Sequence, residues 1–267
     1  MKTILLLIHD DEGQEARLQA ALDVTRAVEG HLKCLDVSVP PLLPVGFYPG
    51  MGDALLLADE HAREAENKSR LEARLTAERL PWDWVDTTGD IGPALVDASA
   101  LADLIVVDRR LDGVPLAGLR DTVGEVVVRS GKPILAVPHD TRGFNLCGRS
   151  LVCWDGSACA AAALRAAVPL LRLADNVTLL EIEEKGRESS VEDAAQYLSR
   201  HDIDPLVRRR RLITRGVAET MLDEIHNERA DYVVMGGFGH LRFAEALFGG
   251  VTRAMFKACP IPIFMAH

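Results

Sequence analysis

The stretch Tyr232-Val233-Val234-Met235-Gly236-Gly237-Phe238-Gly239, then nine residues (240–248), then Gly249-Gly250-Val251-Thr252, sets the frame for the chain. Its first four residues form an apolar run of the kind a buried parallel strand carries, and a helical pattern, Val251 to Ala258, starts where it ends. Glycine at the end of a parallel strand permits a tight turn and the close approach of a ligand to bare backbone. Glycine just ahead of a helix leaves N–H groups pointing outward, where the helix dipole favours an anion. The residues read as a strand, a phosphate cradle in two parts, and a helix.

Working outward, the same alternation recurs on both sides. Upstream lie a strand at Leu151–Trp154 ending in Asp155-Gly156-Ser157, a helix marked by Leu164, Ala167, Val168 and Leu171, and a strand at Val177–Ile182. A short helix follows at Val191–Leu198, a strand at Leu206–Ile213 and a helix at Val217–Ile225; Ile261–Met265 is the fifth strand of this half. The first half carries strands at residues 2–8, His31–Val39, Trp82–Thr88, Leu104–Val107 and Ile134–Val137. Between them run helices with Leu18, Ala21, Leu22, Thr25 and Val28 on one face, then Gly52–Arg79, Ile91–Leu101 and Thr122–Arg129. Strands alternating with helices predict an α/β layer on a parallel sheet.

The halves can be laid on each other. Ala102-Asp103-Leu104-Ile105-Val106-Val107 matches Ala230-Asp231-Tyr232-Val233-Val234-Met235, and Lys132-Pro133-Ile134-Leu135-Ala136-Val137 matches Ile261-Pro262-Ile263-Phe264-Met265-Ala266. Asp10 matches Asp155. This internal repeat predicts two domains, 1–140 and 149–267, joined by a polar linker after Pro138 that contains Gly143 and Gly148.

The chain has 267 residues, 48% of them hydrophobic and 26% charged, which suits a folded protein with a substantial core. A net charge of -10 argues against non-specific nucleic-acid binding and against anionic membrane surfaces. The apolar run at the start is too short for a membrane span and reads as the first strand. The five cysteines, Cys34, Cys147, Cys153, Cys159 and Cys259, form no Cys-x-x-Cys pair and sit mostly in apolar surroundings. Free thiols and a reducing, cytoplasmic location are expected.

With these residues in view, the chain resembles the universal stress protein family in its tandem two-domain form. Three features carry the resemblance: the strand ending in Asp155-Gly156-Ser157, the run Ala-Asp-Tyr-Val-Val-Met-Gly at 230–236, and the family's motif of Gly-x-x-Gly, nine residues, then Gly followed by Ser or Thr, which Gly236, Gly239 and Gly249 match. The resemblance implies two tandem five-stranded parallel-sheet domains, each with strand order 3-2-1-4-5 in the adenine nucleotide alpha hydrolase-like manner, paired through their last strands as a pseudo-dimer. It also implies a stress-response role and an adenine nucleotide (ATP, or ADP or AMP, with Mg accompanying it) at the C-terminal ends of the strands. Carried over by position, Asp155 would hold the adenine–ribose end and Ile182 would line the adenine slot. Met235 and Gly236 would pass under the ribose and first phosphates, and Gly239, Gly249, Gly250, Val251 and Thr252 would cradle the phosphates. One departure is Gly250, where the family most often has Ser or Thr; the lost hydroxyl removes one phosphate donor.

The first half departs further. It reads Asp108-Arg109-Arg110-Leu111-Asp112-Gly113 where the glycine loop would stand, and Asp121-Thr122-Val123-Gly124 later. A carboxylate at 108 opposes a phosphate and its Cβ blocks close approach, so this half is expected to bind no nucleotide.

Other features have plainer readings. Asp155 also suits a cap for the following helix, and His240 and Arg242 suit an exposed loop tip as well as a phosphate contact. Arg208–Arg211 falls on the third strand of its half, which the resemblance places at the sheet edge, and alternate residues there point opposite ways, so it forms no single basic patch. His9, Asp10, Asp11 and Glu12 are consecutive and cannot all converge on a metal. No catalytic constellation of Ser–His–Asp or Cys–His type is arranged. Three functions therefore stand: a signalling module that holds ATP and acts through a protein partner, as a chain or a homodimer; a slow ATPase using the same pocket; and a nucleotide-independent, chaperone-like scaffold whose proline loop, Pro40–Pro49 with Leu42, Leu43, Val45, Phe47 and Tyr48, takes a partner or apolar ligand.

Overall fold

The computed structural model describes residues 1–38, 51–109, 126–183, 190–212, 216–237 and 250–267, with backbone alone for 51–61. The first half supplies β1 (Thr3–Ile8), α1 (Gln14–Ala27), β2 (His31–Ser38), α2 (Met51–Glu78), β3 (Trp82–Thr88), α3 (Ile91–Ala98), β4 (Leu104–Asp108), α4 (described over 126–130) and β5 (Ile134–Val137). The second supplies β6 (Arg149–Trp154), α5 (Ala158–Leu171), β7 (Asn176–Glu183), α6 (Val191–Ser199), β8 (Leu206–Arg211), α7 (Val217–Glu228), β9 (Tyr232–Gly236), α8 (Gly250–Ala258) and β10 (Ile263–Ala266). The proline loop, Gly113 and Gly124 lie outside the described residues.

The strands form one sheet in the order β3-β2-β1-β4-β5-β10-β9-β6-β7-β8. Each half has the expected order 3-2-1-4-5, with parallel pairs throughout. The halves meet where β5 pairs antiparallel with β10, Ile263 beside Ala136, Phe264 beside Leu135 and Met265 beside Ile134. All six residues are buried, so the seam lies in the core and not at a wet interface.

Both faces of the sheet are covered, which is why its strands read as continuous apolar runs. Ile4, Leu6 and Ile8 face the layer of α1, α2, α5 and α6, whereas Leu5 and Leu7 face the layer of α3, α4, α7 and α8. The segment after Pro138 is more than a polar linker. Phe144 and Leu146 are each only 4% exposed, and the Phe144 ring meets Tyr232 edge-on at 5.3 Å between centroids. The Phe144 N–H donates to Asp23 Oδ2 of α1 at 2.9 Å. One aromatic thus ties the joint between the halves to both of them. Four arginines close the far edge on β8, and each has an acid. Arg208 and Arg210 reach Glu228 and Glu224 of α7, while Arg209 and Arg211 reach Glu181 and Glu183 of β7, Arg209 also meeting Glu192 of α6. Alternate residues do point opposite ways, and the run is neutralised within the chain.

The other edge carries an electrostatic cost. Asp36 of β2 stands in register with Asp86 of β3. Lys68 of α2 donates to Asp86 at 2.6 Å and lies 5.3 Å from the Trp84 ring centroid. Burial, with the charges of Asp86 and Glu64 adding and Lys68 opposing, pushes the Asp36 carboxyl up to about 6. Its folded value lies above its unfolded one, so ionising it penalises the folded state: the penalty is absent below about pH 4 and complete above about pH 6. Asp36→Asn is expected to raise stability by about 1 kcal/mol at pH 8, after allowance for solvent screening, and to leave it unchanged at pH 4. Urea denaturation at the two pH values checks this.

Candidate functional site

In each half the chain leaves the first strand toward one face of the sheet and the fourth strand toward the other. The C-terminal ends of these two neighbouring strands therefore frame a crevice, the place where open α/β sheets take ligands. In the second half the framing strands are β6 and β9, with Cys153 beside Met235. The next residues, Trp154 and Asp155, consequently stand next to Gly236. β7 flanks β6 on its other side and brings Ile182 to the same rim. Because α8 returns the chain to the start of parallel β10, its first turn, Gly250-Val251-Thr252, also lies at this end of the sheet. The structure thus brings Asp155, Ile182, Met235, Gly236, Gly250, Val251 and Thr252 to one end of the second half. Gly239, Gly249, His240 and Arg242 lie outside the described residues.

The local chemistry explains each placement. Asp155 is exposed, and its Oδ1 accepts from the Ser157 N–H at 3.0 Å. Ser157, not Asp155, caps α5, its hydroxyl accepting from the Ala160 N–H at 3.1 Å. The aspartate is therefore oriented by the turn rather than consumed by the helix. Gly236 is required by packing: a Cβ there would lie 2.4 Å from the Ala160 nitrogen and 2.6 Å from the Cys159 carbonyl carbon. The start of α5 rests directly on the end of β9. At Gly250 the opposite holds, since among the described residues a Cβ would meet nothing within 4 Å. The first amides of α8 have no intrahelical acceptor, as in any α-helix. Thr252 is buried in that turn, and the Met235 side chain belongs to the core.

Three rim residues escaped the sequence reading. Trp154 precedes Asp155, and its indole N–H is buried without a hydrogen bond among the described residues. His267 Nδ1 lies 3.2 Å from the Gly237 carbonyl and 3.4 Å from Cys159 Sγ. A tryptophan that ends a strand gives a signal that sequence can supply; the Cys159–His267 contact spans 108 positions and gives none. The Cys159 thiol is pushed up by burial and by the charge of Asp155, so it is no poised thiolate. All five cysteines are free. Among the described residues no group of three His, Cys, Asp or Glu side chains could hold a metal ion.

The first half has the same crevice with different contents. The Arg109 N–H donates to Val137 O at 2.8 Å just as the Gly237 N–H donates to Ala266 O at 3.0 Å, so Asp108 and Arg109 occupy the places of Gly236 and Gly237. Asp108 is 3% exposed and points at the N-terminus of α1: a Cβ on Gly13 would sit 1.7 Å from its Oδ2. Arg17 of α1, fully buried, lies 3.5 Å from Asp108 and donates to both Asp11 oxygens at 2.8 and 3.0 Å. It also donates to the carbonyls of Leu7 and His9. The guanidinium and its two carboxylates occupy the end of this strand pair. Asp10, the counterpart of Asp155, is exposed and meets only Arg63, at 3.5 Å, among the contacts resolved for it.

A doubly wound α/β fold present twice on one sheet, with a glycine floor at one switch point and a salt bridge at the other, defines the class. Residues 148–267 match the model of the Universal stress protein family, and this part of the chain is a domain of that family. The whole chain is similar in fold to a universal stress protein from Archaeoglobus fulgidus DSM 4304, with a TM-score of 0.75 at 18% identity over 99% of this chain and 97% of that one. It is likewise similar to a functionally unknown protein from Pseudomonas aeruginosa PAO1, with a TM-score of 0.66 at 14% identity over 99% and 92%. At such identities the likeness is one of fold, and it extends the universal stress protein architecture to both halves. No curated protein matches the chain. No helix among the described residues is long and apolar enough to cross a membrane.

Removing Asp108 strips Arg17 of one of its two carboxylates inside the core. Asp108→Ala is expected to cost about 2 kcal/mol, whereas Arg63→Ala, which breaks the exposed Asp10 pair, should change stability by less than about 0.5 kcal/mol. Urea midpoints of the two variants, compared with the parent, make the test.

Proposed function

We propose that the chain binds one adenine nucleotide, ATP foremost, at the crevice of its second half and acts as a stress-response binding or signalling module. The observation that carries this is the difference between the two switch points. One has an exposed, oriented carboxylate and a glycine floor; the equivalent place in the other is taken by Asp108 and Arg17. In this reading the two units are residues 1–140 and 149–267, the first serving as a nucleotide-free partner, and the protein works in the cytoplasm.

The residues suit such a ligand in four ways. Asp155 can accept from ribose hydroxyls, because it is exposed and an ionised carboxylate offers about four acceptor sites. The first-turn amides of α8, with Gly250, Val251 and the Thr252 hydroxyl, can donate to phosphate oxygens, and the dipole of a nine-residue helix favours an anion there. The buried indole N–H of Trp154, which lacks an acceptor within the described protein, can serve a base or sugar acceptor. Ile182 is half-buried and offers an apolar wall. Gly239 and Gly249 complete the cradle by position in the sequence. Mg2+ would be held chiefly by the phosphates.

Two measurements test the proposal. Denaturing the purified protein and analysing the released small molecules by mass spectrometry should yield ATP, with ADP alone pointing to turnover; no nucleotide, and no rise in melting temperature on adding ATP, would sink it. Gly250→Ser fills open space and restores the hydroxyl, so it should tighten ATP about fivefold, equivalent to roughly 1 kcal/mol. Thr252→Ala should weaken binding by a similar factor, both read by isothermal titration calorimetry.

A further inference from the structure

We infer that Arg109, contributed by the first half, positions the phosphate cradle of the second half by holding the far end of α8. Arg109 follows β4 and is 8% exposed. Its backbone is fixed to β5 through the bond to Val137 O. Its Nη1 donates at 2.6 Å to the carbonyl of Phe256, 147 residues away and across the seam between the halves. Phe256 lies in the last turn of α8, Gly250–Ala258. Carbonyls there have no intrahelical donor, and a cation at that end complements the helix dipole.

Helix α8 is short. Nine residues span about 13 Å, so a displacement at one end moves the other almost rigidly. The near end is the turn of Gly250, Val251 and Thr252; the far end is Phe256, gripped from the other half. Among the described residues the local ties of the helix are of two kinds, burial of side chains and a backbone bond at its end. Thr252, Met255 and Phe256 are buried, and the Cys259 N–H donates to Met255 O at 2.9 Å. The corresponding position in the second half, Gly237, has no side chain to reach out, and a Cβ there would lie 2.2 Å from Met265 Sδ. The grip therefore runs in one direction only. The two residues that stand in the glycine places of the first half divide the work: Asp108 turns inward to Arg17, and Arg109 turns outward to α8. The half without a glycine floor becomes a brace for the half that has one.

This inference rests on the nucleotide reading above, and its test separates the two. The full-length chain and its Arg109→Met and Arg109→Lys variants are compared by hydrogen–deuterium exchange without ligand and by calorimetric titration with ATP. Arg109→Met is expected to speed exchange in α8 while leaving α5 and α7 unchanged, and to weaken ATP binding about five- to tenfold. Arg109→Lys keeps charge and reach and should recover most of both; if Arg109→Met does not fold, Arg109→Lys alone should still show a small, parallel loss in the two readouts. A parent chain that takes up no ATP defeats the nucleotide reading, and with it the cradle role, while exchange in α8 still reports whether Arg109 holds the helix. Unchanged exchange in α8, loosening spread evenly over the chain, or a loosened α8 with unaltered ATP affinity would each overturn the inference.

Discussion

The antiparallel pairing of β5 with β10 is the constraint on which the rest depends. Three residue pairs, all within the core, convert two five-stranded sheets into one of ten. The pairing removes two edges that would otherwise present unpaired N–H and C=O groups on apolar strands, leaving outer edges at β3 and β8 that carry aspartates and arginines. It also sets the two crevices in fixed relation to each other. Only because β4–β5 and β9–β10 share that seam can Arg109 reach the Phe256 carbonyl.

Within this symmetric frame the chemistry is asymmetric. The same backbone step, a strand end bonded to the strand beside it, carries Asp108-Arg109 in one half and Gly236-Gly237 in the other. At the first, a carboxylate at the start of α1 and a buried guanidinium satisfy each other. At the second, the start of α5 presses on bare backbone so closely that no side chain fits. Gly236 thus serves the fold before it serves any ligand, whereas Gly250 is a glycine for which packing has no use.

The strands and the repeat were legible because parallel strands covered on both faces must be apolar throughout, and the two halves share that demand; the strand order followed from the family resemblance. Gly236 was legible as a glycine that ends a strand, but the reason for it in the fold, the start of α5 resting on it, was not. Arg17 was not: in a helix whose visible stripe is Leu18, Ala21, Leu22 and Thr25, a single arginine looks solvated. Its buried state depends on Asp108, 91 positions later, and on Asp11 rather than the more conspicuous Asp10. Phe144 was hidden in a polar-looking segment because its partners, Asp23 and Tyr232, lie far away on either side. The capping of α5 by Ser157 instead of Asp155 turned on a two-residue difference that spacing alone does not resolve. For Arg17 and Phe144 the missing information was a contact between distant positions, not a local preference.

The proposed function assigns one nucleotide to the chain, at the switch point with the glycine floor and not at the one that Asp108 and Arg17 occupy. Native mass spectrometry of the intact protein titrated with ATP measures that number directly. Saturation at a single ATP per chain, lost on replacing Gly239 with a bulky residue and unaffected by the same change at Gly113, is the result the account predicts. Two ATP per chain, or one that is lost through Gly113, would contradict it.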